Sequence, residues 1–510
     1  MVCRVLVRPA PLCCLIFGVL LALPTHSKAA PSPTLTQARG RDIHKIRHVI
    51  VVMQENRSFD NYFGTYPGAD GIPRDAAGNF SVCVKDPRGG CVTPFHDRLD
   101  VDGGGDHGVG VISVDVDGGR MDGFVTALVS PAVCNTKPTN IRCSYHPPPK
   151  PDVMGYHTQD EIPNYWMYAQ NFVLQDHLFA PAAAGSWADH LYMVSEWSAR
   201  CSKAADPFSC VNSIRGNRTS PYAWTDLTYL LHLKNIPWAY YLSPGTQPDC
   251  ANGARTCPPF SQNSRTPGIW NPLLFFTPVK NAKQVNNVQD LKSYFVAAKE
   301  GRLPAVSWIV PNEEESEHPP ALISVGEDYV TKVINAAMSS PDWSSTAIFL
   351  SWDDWGGFYD HEPPPAVDQN GFGLRVPGLV ISPYAKRGFI DHQVKSPDAV
   401  VKFIEDDFLG GQRLDPKTDG RPDPRIDVRE SLPQVGDVTR DFDFAQSPRP
   451  PLLLSTHPTR PGLINFVKHH HSYPLLKRPR VRAAAIAGIV ALGLLATTLV
   501  LWKRRRRLTA

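Results

Sequence analysis

The sequence lacks the short motifs of several common enzyme classes. It contains no GxSxG nucleophile turn, no GxxxxGK[ST] phosphate loop, no HExxH zinc motif and no CxPxR motif. These absences argue against a GxSxG-type serine hydrolase, a P-loop nucleotide-binding protein, a zinc protease of the HExxH type and a sulfatase-type enzyme. The cysteine couples lack CxxC spacing, and no internal repeat is visible, which argues against zinc ribbons and solenoids.

Excess charge is scarce in the central part of the chain. The formal net charge of the 510 residues is +3, but twelve Lys and Arg residues lie in residues 1–28, 477–482 and 503–507, where no acidic residue accompanies them. Residues 29–476 therefore carry a formal charge of −9. A mildly acidic domain argues against nucleic acid as a partner.

Both ends of the chain have the composition of targeting segments. Residues 1–29 combine Arg4 and Arg8 with an apolar stretch at 12–23 and a small-residue end, which predicts a signal peptide. Residues 483–502 are 20 uncharged, mostly apolar residues. Because a helix needs about 20 such residues to cross a bilayer, they predict a transmembrane helix, with a hydrophobic core helix as the alternative.

These segments predict the organisation and the location of the protein. We expect a single-pass protein of the cell membrane, whose main domain at residues 42–445 lies outside the cytoplasm. From Ser447 the sequence becomes Pro-rich and loses its periodicity, so residues 446–482 are interpreted as a stalk. Residues 503–510 form a basic cytoplasmic tail.

Cysteine usage agrees with export. Eight of the eleven cysteines follow the predicted signal peptide, in four local couples: Cys83 and Cys91, Cys134 and Cys143, Cys201 and Cys210, Cys250 and Cys257. An even number in an exported chain predicts disulfides, and the close spacing favours four small loops. Unpaired buried thiols are the alternative.

Short apolar runs that end on polar residues recur along the main domain. They lie at residues 48–56, 238–243, 306–311, 346–354 and 376–382, and stretches of helical periodicity, such as 327–338 and 396–408, lie between them. Apolar strands that alternate with helices predict an α/β fold with a mainly parallel central sheet and helices on both faces. Ligands of such folds bind at the carboxyl ends of the strands.

Two of these strand ends carry clusters of oxygen-bearing side chains. Glu55 and Asn56 follow the first run, and the adjacent carboxylates Asp353 and Asp354 follow the fourth, shortly before two glycines. Adjacent carboxylates repel each other unless a positive charge lies beside them, and oxygen ligands suit a hard divalent cation. The pattern predicts a metal site, with helix capping as the alternative interpretation.

Five stretches of the chain together resemble the bacterial phosphoesterase family. They lie in order at residues 48–73, 160–180, 316–320, 350–365 and 375–392. That family contains phospholipases C of the non-specific, phosphatidylcholine-cleaving type and a related acid phosphatase. It belongs to the alkaline-phosphatase-like α/β superfamily, so the resemblance implies that fold.

The resemblance implies a metal site and a nucleophile. Glu55, Asn56, Asp353 and Asp354 match the metal-binding residues of the family. Ser186, in the stretch AAAGSWADHLY, matches the residue that attacks phosphorus. One or more divalent metal ions would lower the pKa of this hydroxyl and neutralise charge on the phosphoryl oxygens.

Further residues take roles from the same resemblance. His107 and His318 match active-site histidines that protonate the leaving alkoxide or bind the transferred phosphoryl group. Asp189 and His361 match positions that contact the substrate or brace its loop. The chain departs from the family at Ala188 and Asp189, where Pro and Asn are usual.

The sequence therefore predicts a metal-dependent phosphoesterase. Its reaction would be phosphodiester hydrolysis, with glycerophospholipids as the expected substrates, through a phosphoserine intermediate on Ser186. The alternatives are a broad-specificity acid phosphomonoesterase and, from another class, a non-catalytic surface binding module on a phosphoesterase fold. Arg57, next to Asn56, is expected to pair with Asp60 rather than to grip a phosphate.

Overall fold

The computed structural model describes residues 43–108, 110–129, 150–201, 210–212, 222–249, 259–368, 370–415 and 428–464. The strands of the main domain lie within these ranges. They are β1 (His48–Gln54), β2 (Val84–Lys85), β3 (Cys91–Val92), β4 (Phe95–His96), β5 (Gly155–Tyr156), β6 (Val173–Gln175), β7 (Ala199–Cys201), β8 (Cys210–Asn212), β9 (Trp238–Leu242), β10 (Gly245–Gln247), β11 (Phe260–Gln262), β12 (Val288–Asp290), β13 (Val306–Val310), β14 (Thr346–Trp352), β15 (Gly378–Ile381) and β16 (Phe389–Asp391).

The α-helices of the described residues are mostly short. They are α1 (Phe59–Phe63), α2 (Ile112–Val116), α3 (Phe124–Val129), α4 (Pro163–Asn171), α5 (Ser186–Ser195), α6 (Leu227–Leu233), α7 (Thr277–Asn281), α8 (Lys292–Lys299), α9 (Ile323–Met338) and α10 (Asp398–Phe408). Short 3-10 turns connect several of them, for example at Ile43–Lys45 before β1.

Eight strands form one large sheet in the order β12-β9-β13-β1-β14-β15-β6-β16. Within it, β15 is antiparallel to both of its neighbours, while the other paired strands run parallel. The prediction of a mainly parallel sheet is confirmed. The five predicted apolar runs correspond to β1, β9, β13, β14 and β15, and the remaining three strands of this sheet are only three residues long.

Helices cover both faces of the sheet, as predicted. Every residue of β14 is buried, and alternate side chains of a strand point to opposite faces. On one face, Phe349 of β14 contacts Phe403 of α10, with ring centroids 5.4 Å apart. On the other face, Trp352 contacts Tyr165 of α4 at 5.1 Å.

The main domain extends beyond the boundary predicted at residue 445. Arg449 donates to the carbonyl of Asn171 at 2.7 Å, and the main chain of Leu454 hydrogen-bonds the side chain of Asn335. Arg460 forms an ion pair with Glu327 at 2.7 Å. The stalk prediction is therefore wrong for residues 446–464. Main-chain groups and arginine side chains attach this stretch to the domain. Such contacts do not require apolar residues at regular spacing, so the sequence shows no periodic pattern there.

The predicted membrane-related segments at 1–29, 483–502 and 503–510, and the stalk residues 465–482, lie outside the described residues. Among the residues that the structure does describe, no helix has the length and apolar character required to span a bilayer.

Two of the predicted cysteine couples fall on described residues. A disulfide joins Cys83 to Cys91, which confirms the first pairing. Cys201 and Cys210 are register partners in the antiparallel pair β7 and β8. The other two couples lie outside the described part of the chain.

Candidate active site

The pairing of β1 with β14 brings the two predicted clusters together. The strands are parallel neighbours, and their last residues are register partners, so both chains leave the sheet at the same edge. The amide N–H of Asn56 donates to Oδ1 of Asp353 at 2.9 Å, and its side-chain Nδ2 donates to Oδ1 of Asp354 at 2.7 Å. Glu55, which precedes Asn56, is also fully buried.

Three oxygens of this cluster have no hydrogen-bond partner among the residues that the structure describes. They are Glu55 Oε2, Asn56 Oδ1 and Asp353 Oδ2, and all three residues are buried. Buried polar atoms are costly when they lack a partner. Ligand atoms of Glu55, Asp353 and His190 lie within 4.8 Å of one another. The residues present therefore fit a divalent cation, which would satisfy the orphaned oxygens.

His190 is a member of this cluster that the sequence interpretation missed. Its Nε2 lies 2.8 Å from Glu55 Oε1, and both side chains are fully buried. The signal was available, because His190 follows Ser186 by four residues in α5 and side chains at this spacing share one face of a helix.

Burial and like charge dominate the electrostatics of the cluster. Burial and the charge of Asp353 raise the pKa of Glu55 well above its usual value. Burial and the charge of Asp354 raise the pKa of Asp353, and burial raises that of Asp354 to about 7. These shifts show how unfavourable several adjacent carboxylates are here, and a bound cation reverses that balance.

Ser186 lies beside the carboxylates at the start of α5. Its hydroxyl donates to Oδ2 of Asp354 at 3.3 Å, and Gly185 precedes it as the N-cap residue. The N-terminus of a helix favours anions. One turn further, Asp189 is fully buried. Burial and the charge of Asp354 raise the pKa of Asp189.

The two predicted histidines are neighbours. The ring centroids of His107 and His318 lie 5.6 Å apart, and the backbone carbonyl of His107 lies 3.1 Å from the position that a Cβ on Gly185 would take. Burial and the nearby His318 lower the pKa of His107. Burial also opposes the charge of His318, but the carboxylate of Asp249 raises its pKa.

Asp249 is a second residue that sequence reasoning missed. Its Oδ1 lies 2.9 Å from Nε2 of His318, and its Oδ2 accepts a hydrogen bond from Trp270 Nε1 at 2.6 Å. No motif of the sequence includes Asp249, so its position beside His318 could not be predicted from the sequence.

His361 lies in a separate ionic cluster. Its Nδ1 is 2.8 Å from Oδ2 of Asp60, and Arg375 contacts Asp60 at 3.2 Å and Asp360 at 2.8 Å. These contacts brace the loop after β14, which is one of the two roles predicted for His361. Its role in substrate binding stays a prediction.

The predicted pairing of Arg57 with Asp60 is wrong. Arg57 donates to the carbonyl of Asn56 at 2.7 Å and to the hydroxyl of Tyr62 at 3.1 Å, and its Nη2 lies 3.5 Å from Asp102. Asp60 is already paired in the cluster of His361. Arg57 is buried, and its bond to the carbonyl of Asn56 supports the backbone of the candidate site.

Two glycines allow the loop after β14 to approach the site. Gly356 has φ +60°, and a Cβ there would lie 2.6 Å from the carbonyl oxygen of Asn56. Gly357 has φ +77°, and a Cβ there would lie 2.3 Å from Cα of Gly105. Both positions therefore require the backbone freedom and the small size of glycine.

The fold and the site together define an α/β protein with an oxygen-rich candidate metal centre at the carboxyl edge of a mainly parallel sheet. The sequence profile of the Phosphoesterase family matches residues 46–409. The chain belongs to the Phosphoesterase family. This confirms the predicted resemblance, and the class of hydrolases acting on phosphoester bonds is confirmed at the level of the family.

Individual relatives are more distant. The chain is 28% identical to "Non-hemolytic phospholipase C" of Burkholderia pseudomallei over 72% of this chain and 55% of the relative. It is 25% identical to "Phospholipase C B" of Mycobacterium tuberculosis over 81% of this chain and 80% of the relative. The chain thus spans about half the length of the Burkholderia protein and most of the mycobacterial one.

Likeness to solved structures is weak. A protein of the alkaline phosphatase superfamily from Vibrio parahaemolyticus aligns with a TM-score of 0.28 and 12% identity, over 49% of this chain and 60% of that chain. A likeness of this size carries no argument about the chain.

We expect Gly357→Ala to destabilise the protein more than Gly371→Ala. Both residues have a positive φ, but a Cβ on Gly371 would meet nothing within 4 Å. The two variants therefore share a backbone cost of about 1 kcal/mol, and only Gly357→Ala adds a collision with backbone, at about 1–3 kcal/mol. Urea unfolding of both variants measures the difference, and equal losses would contradict the close approach.

His361 should stabilise the protein in a pH-dependent manner. Burial opposes its charge, but Asp60 raises its pKa to about 9, against about 6.5 for an unfolded histidine. The stabilisation is therefore complete below about pH 6.5 and is lost as the pH rises through about 9. We expect His361→Gln to lower the free energy of unfolding by about 3 kcal/mol near pH 6, and by less near pH 10.

Urea unfolding of the wild type and His361→Gln across this pH range tests the expectation. His44→Gln is the control, because the side chain of His44 is 60% exposed, whereas that of His361 is 11% exposed. A difference between wild type and His361→Gln that stays constant or grows with pH would contradict the assignment.

Proposed function

We propose that this protein is a metal-dependent phosphoesterase that hydrolyses the phosphodiester bonds of glycerophospholipids. One observation carries the proposal: Glu55, Asn56 and Asp353 each keep a buried side-chain oxygen without a partner among the described residues, and ligand atoms of Glu55, Asp353 and His190 lie within 4.8 Å of one another. The hydroxyl of Ser186 contacts the same carboxylate cluster. Several relatives carry the name phospholipase C, which supports the lipid substrate class.

The residues that would hold the cation are Glu55, Asn56, Asp353 and Asp354. When bound, a divalent ion neutralises charge on the phosphoryl oxygens and lowers the pKa of a nearby hydroxyl. His190 contacts Glu55 from α5 and would fix the orientation of that carboxylate.

Ser186 would act as the nucleophile. Its Oγ attacks phosphorus, an Oγ–P bond forms, and the bond from phosphorus to the leaving alkoxide oxygen breaks. The proton of Ser186 passes to Asp354, which already accepts its hydrogen bond. Water then attacks phosphorus and the Oγ–P bond breaks. Oγ takes its proton back from Asp354, and the proton that water releases passes to the histidine that protonated the leaving alkoxide.

The two histidines would serve the leaving group and the phosphoryl oxygens. Asp249 favours the charged form of His318, so His318 is suited to donate a proton to the leaving alkoxide. Burial and the nearby His318 lower the pKa of His107 and so favour its neutral form, which would donate a hydrogen bond to a phosphoryl oxygen. Asp189, which is buried one turn after Ser186 in α5, would contact a polar group of the substrate.

The proposal also covers the location of the protein, which the composition of two terminal segments supports. We include in the proposal that residues 1–29 direct export and that residues 483–502 anchor the protein to the membrane as a single span. The supporting observations are the basic and apolar composition of the first segment and the 20 uncharged residues of the second.

The test compares the wild type, Ser186→Ala and Ser195→Ala on a chromogenic phosphodiester and the matching phosphomonoester, each with and without a chelator. Ser195 is the matched control, since it is a buried serine of the same helix that hydrogen-bonds only the backbone carbonyls of Leu191 and Trp197 and the indole of Trp224. We expect the wild type and Ser195→Ala to prefer the diester and to lose activity with the chelator. Ser186→Ala should lose at least about 10³-fold in rate, because its nucleophile is gone.

Each outcome has a separate meaning. Near-normal turnover by folded Ser186→Ala would remove the covalent mechanism and leave metal-dependent hydrolysis standing. Full wild-type activity after exhaustive chelation would contradict the metal site. Preference for the monoester would favour the acid phosphomonoesterase, and absence of hydrolysis on both substrates would favour a non-catalytic binding module.

A further inference from the structure

The carboxylate of Glu317 is buried near the candidate site, but it belongs neither to the metal cluster nor to the two histidines. Glu317 is fully buried, and its backbone is in the left-handed region with φ +66°. Its carboxylate accepts hydrogen bonds from the hydroxyls of Tyr62 at 2.7 Å and Tyr165 at 2.5 Å, and from the indole of Trp352 at 3.0 Å. Three convergent donors fix this side chain in one orientation.

Tyr62 links this carboxylate to the metal cluster. While it donates to Glu317, its hydroxyl oxygen accepts from Nε of Arg57 at 3.1 Å. Arg57 in turn donates to the carbonyl oxygen of Asn56 at 2.7 Å. Asn56 has φ +59°, a conformation that a non-glycine residue adopts at a cost.

The same carboxylate fixes the segment that carries His318. Glu317 precedes His318, and the carbonyl of Ser316 accepts a hydrogen bond from the backbone N–H of Glu55 at 3.1 Å. Helix α9 packs closely over this segment, since a Cβ on Gly326 would lie 2.1 Å from Cγ of Glu317. The histidine segment is therefore held on two sides.

We propose that Tyr62 and Glu317 are positioning residues that hold Asn56 and His318 in one rigid frame and thereby set the cation affinity of the site. The inference rests on the proposed function, because it takes Asn56 as a metal ligand. Neither residue touches the cation or the substrate. Their effect passes through Arg57 to Asn56 and through the backbone to His318.

The physical reason is the precision that a metal site requires. Ligands that are not locked by a supporting shell lose affinity, and removal of one supporting hydrogen bond typically weakens metal binding 10–100-fold. Asn56 has a left-handed backbone and is held by its bonds to Asp353, Asp354 and Arg57. Without the hydroxyl of Tyr62, Arg57 loses an acceptor and can shift away from Asn56.

The experiment titrates the metal-free full chain with Mn²⁺ by calorimetry and measures kcat and KM on a chromogenic phosphodiester. Tyr62→Phe removes only the linking hydroxyl. Tyr294→Phe is the matched control, because it removes a buried hydroxyl that donates to the carbonyl of Val333 at 2.9 Å, away from the site. Glu317→Gln keeps a side-chain acceptor, whereas Glu317→Leu keeps only the approximate volume.

We expect Tyr62→Phe to weaken Mn²⁺ binding about tenfold or more and to lower kcat with little change in KM. Tyr294→Phe should lose comparable stability yet stay within about twofold of the wild type in Mn²⁺ affinity. Glu317→Gln should bind Mn²⁺ more tightly than Glu317→Leu, because the acceptor for Tyr62 is retained. A purely structural role would lower stability in all four variants without separating their affinities.

The contrary results are distinct. Equal Mn²⁺ affinity for Tyr62→Phe and Tyr294→Phe, with a wild type that binds Mn²⁺, would overturn the positioning role and leave the proposed function intact. A wild type that binds neither Mn²⁺, Zn²⁺ nor Ca²⁺ and hydrolyses no phosphoester would overturn both. Should Tyr62→Phe fail to fold, the comparison of Glu317→Gln with Glu317→Leu decides, and equal affinities there overturn the proposal.

Discussion

The parallel pairing of β1 with β14 is the contact on which the site depends. The two strands lie side by side with their last residues in register. Two pairs of oxygen-bearing residues, Glu55 with Asn56 and Asp353 with Asp354, therefore emerge at one edge and hydrogen-bond each other. A shift of one residue in this register would separate the amide of Asn56 from both aspartates, because alternate residues of a strand face opposite sides.

The same strand pairing brings negatively charged groups close together, and the side chains around them do not neutralise that charge. The carboxylates of Glu55, Asp353 and Asp354 are all buried, their pKa values are raised, and two of their oxygens lack a partner among the described residues. Arg57, the nearest buried cation along the chain, is directed to Asp102, to Tyr62 and to the carbonyl of Asn56. A folded chain keeps such an arrangement at a cost in stability, which is typical of a functional site.

Much of this architecture could be predicted from the sequence, because apolar runs that end on carboxylates mark both the strands and the site. Other features leave no local signal. An apolar run does not indicate the direction of a strand, so the sequence could not predict that β15 runs antiparallel to its neighbours. Asp249 reaches His318 only through tertiary packing. Residues 446–464 bind the domain through main-chain groups and Arg460, contacts that composition does not reveal.

The most direct test of the central claim is anomalous diffraction from crystals of the metal-free protein soaked in Mn²⁺, with data collected on either side of the manganese absorption edge. The account predicts an anomalous peak in contact with Glu55 Oε2, Asn56 Oδ1 and Asp353 Oδ2, the oxygens that lack partners. A fully soaked crystal with no peak there, and with these side chains arranged as in the metal-free protein, would contradict it.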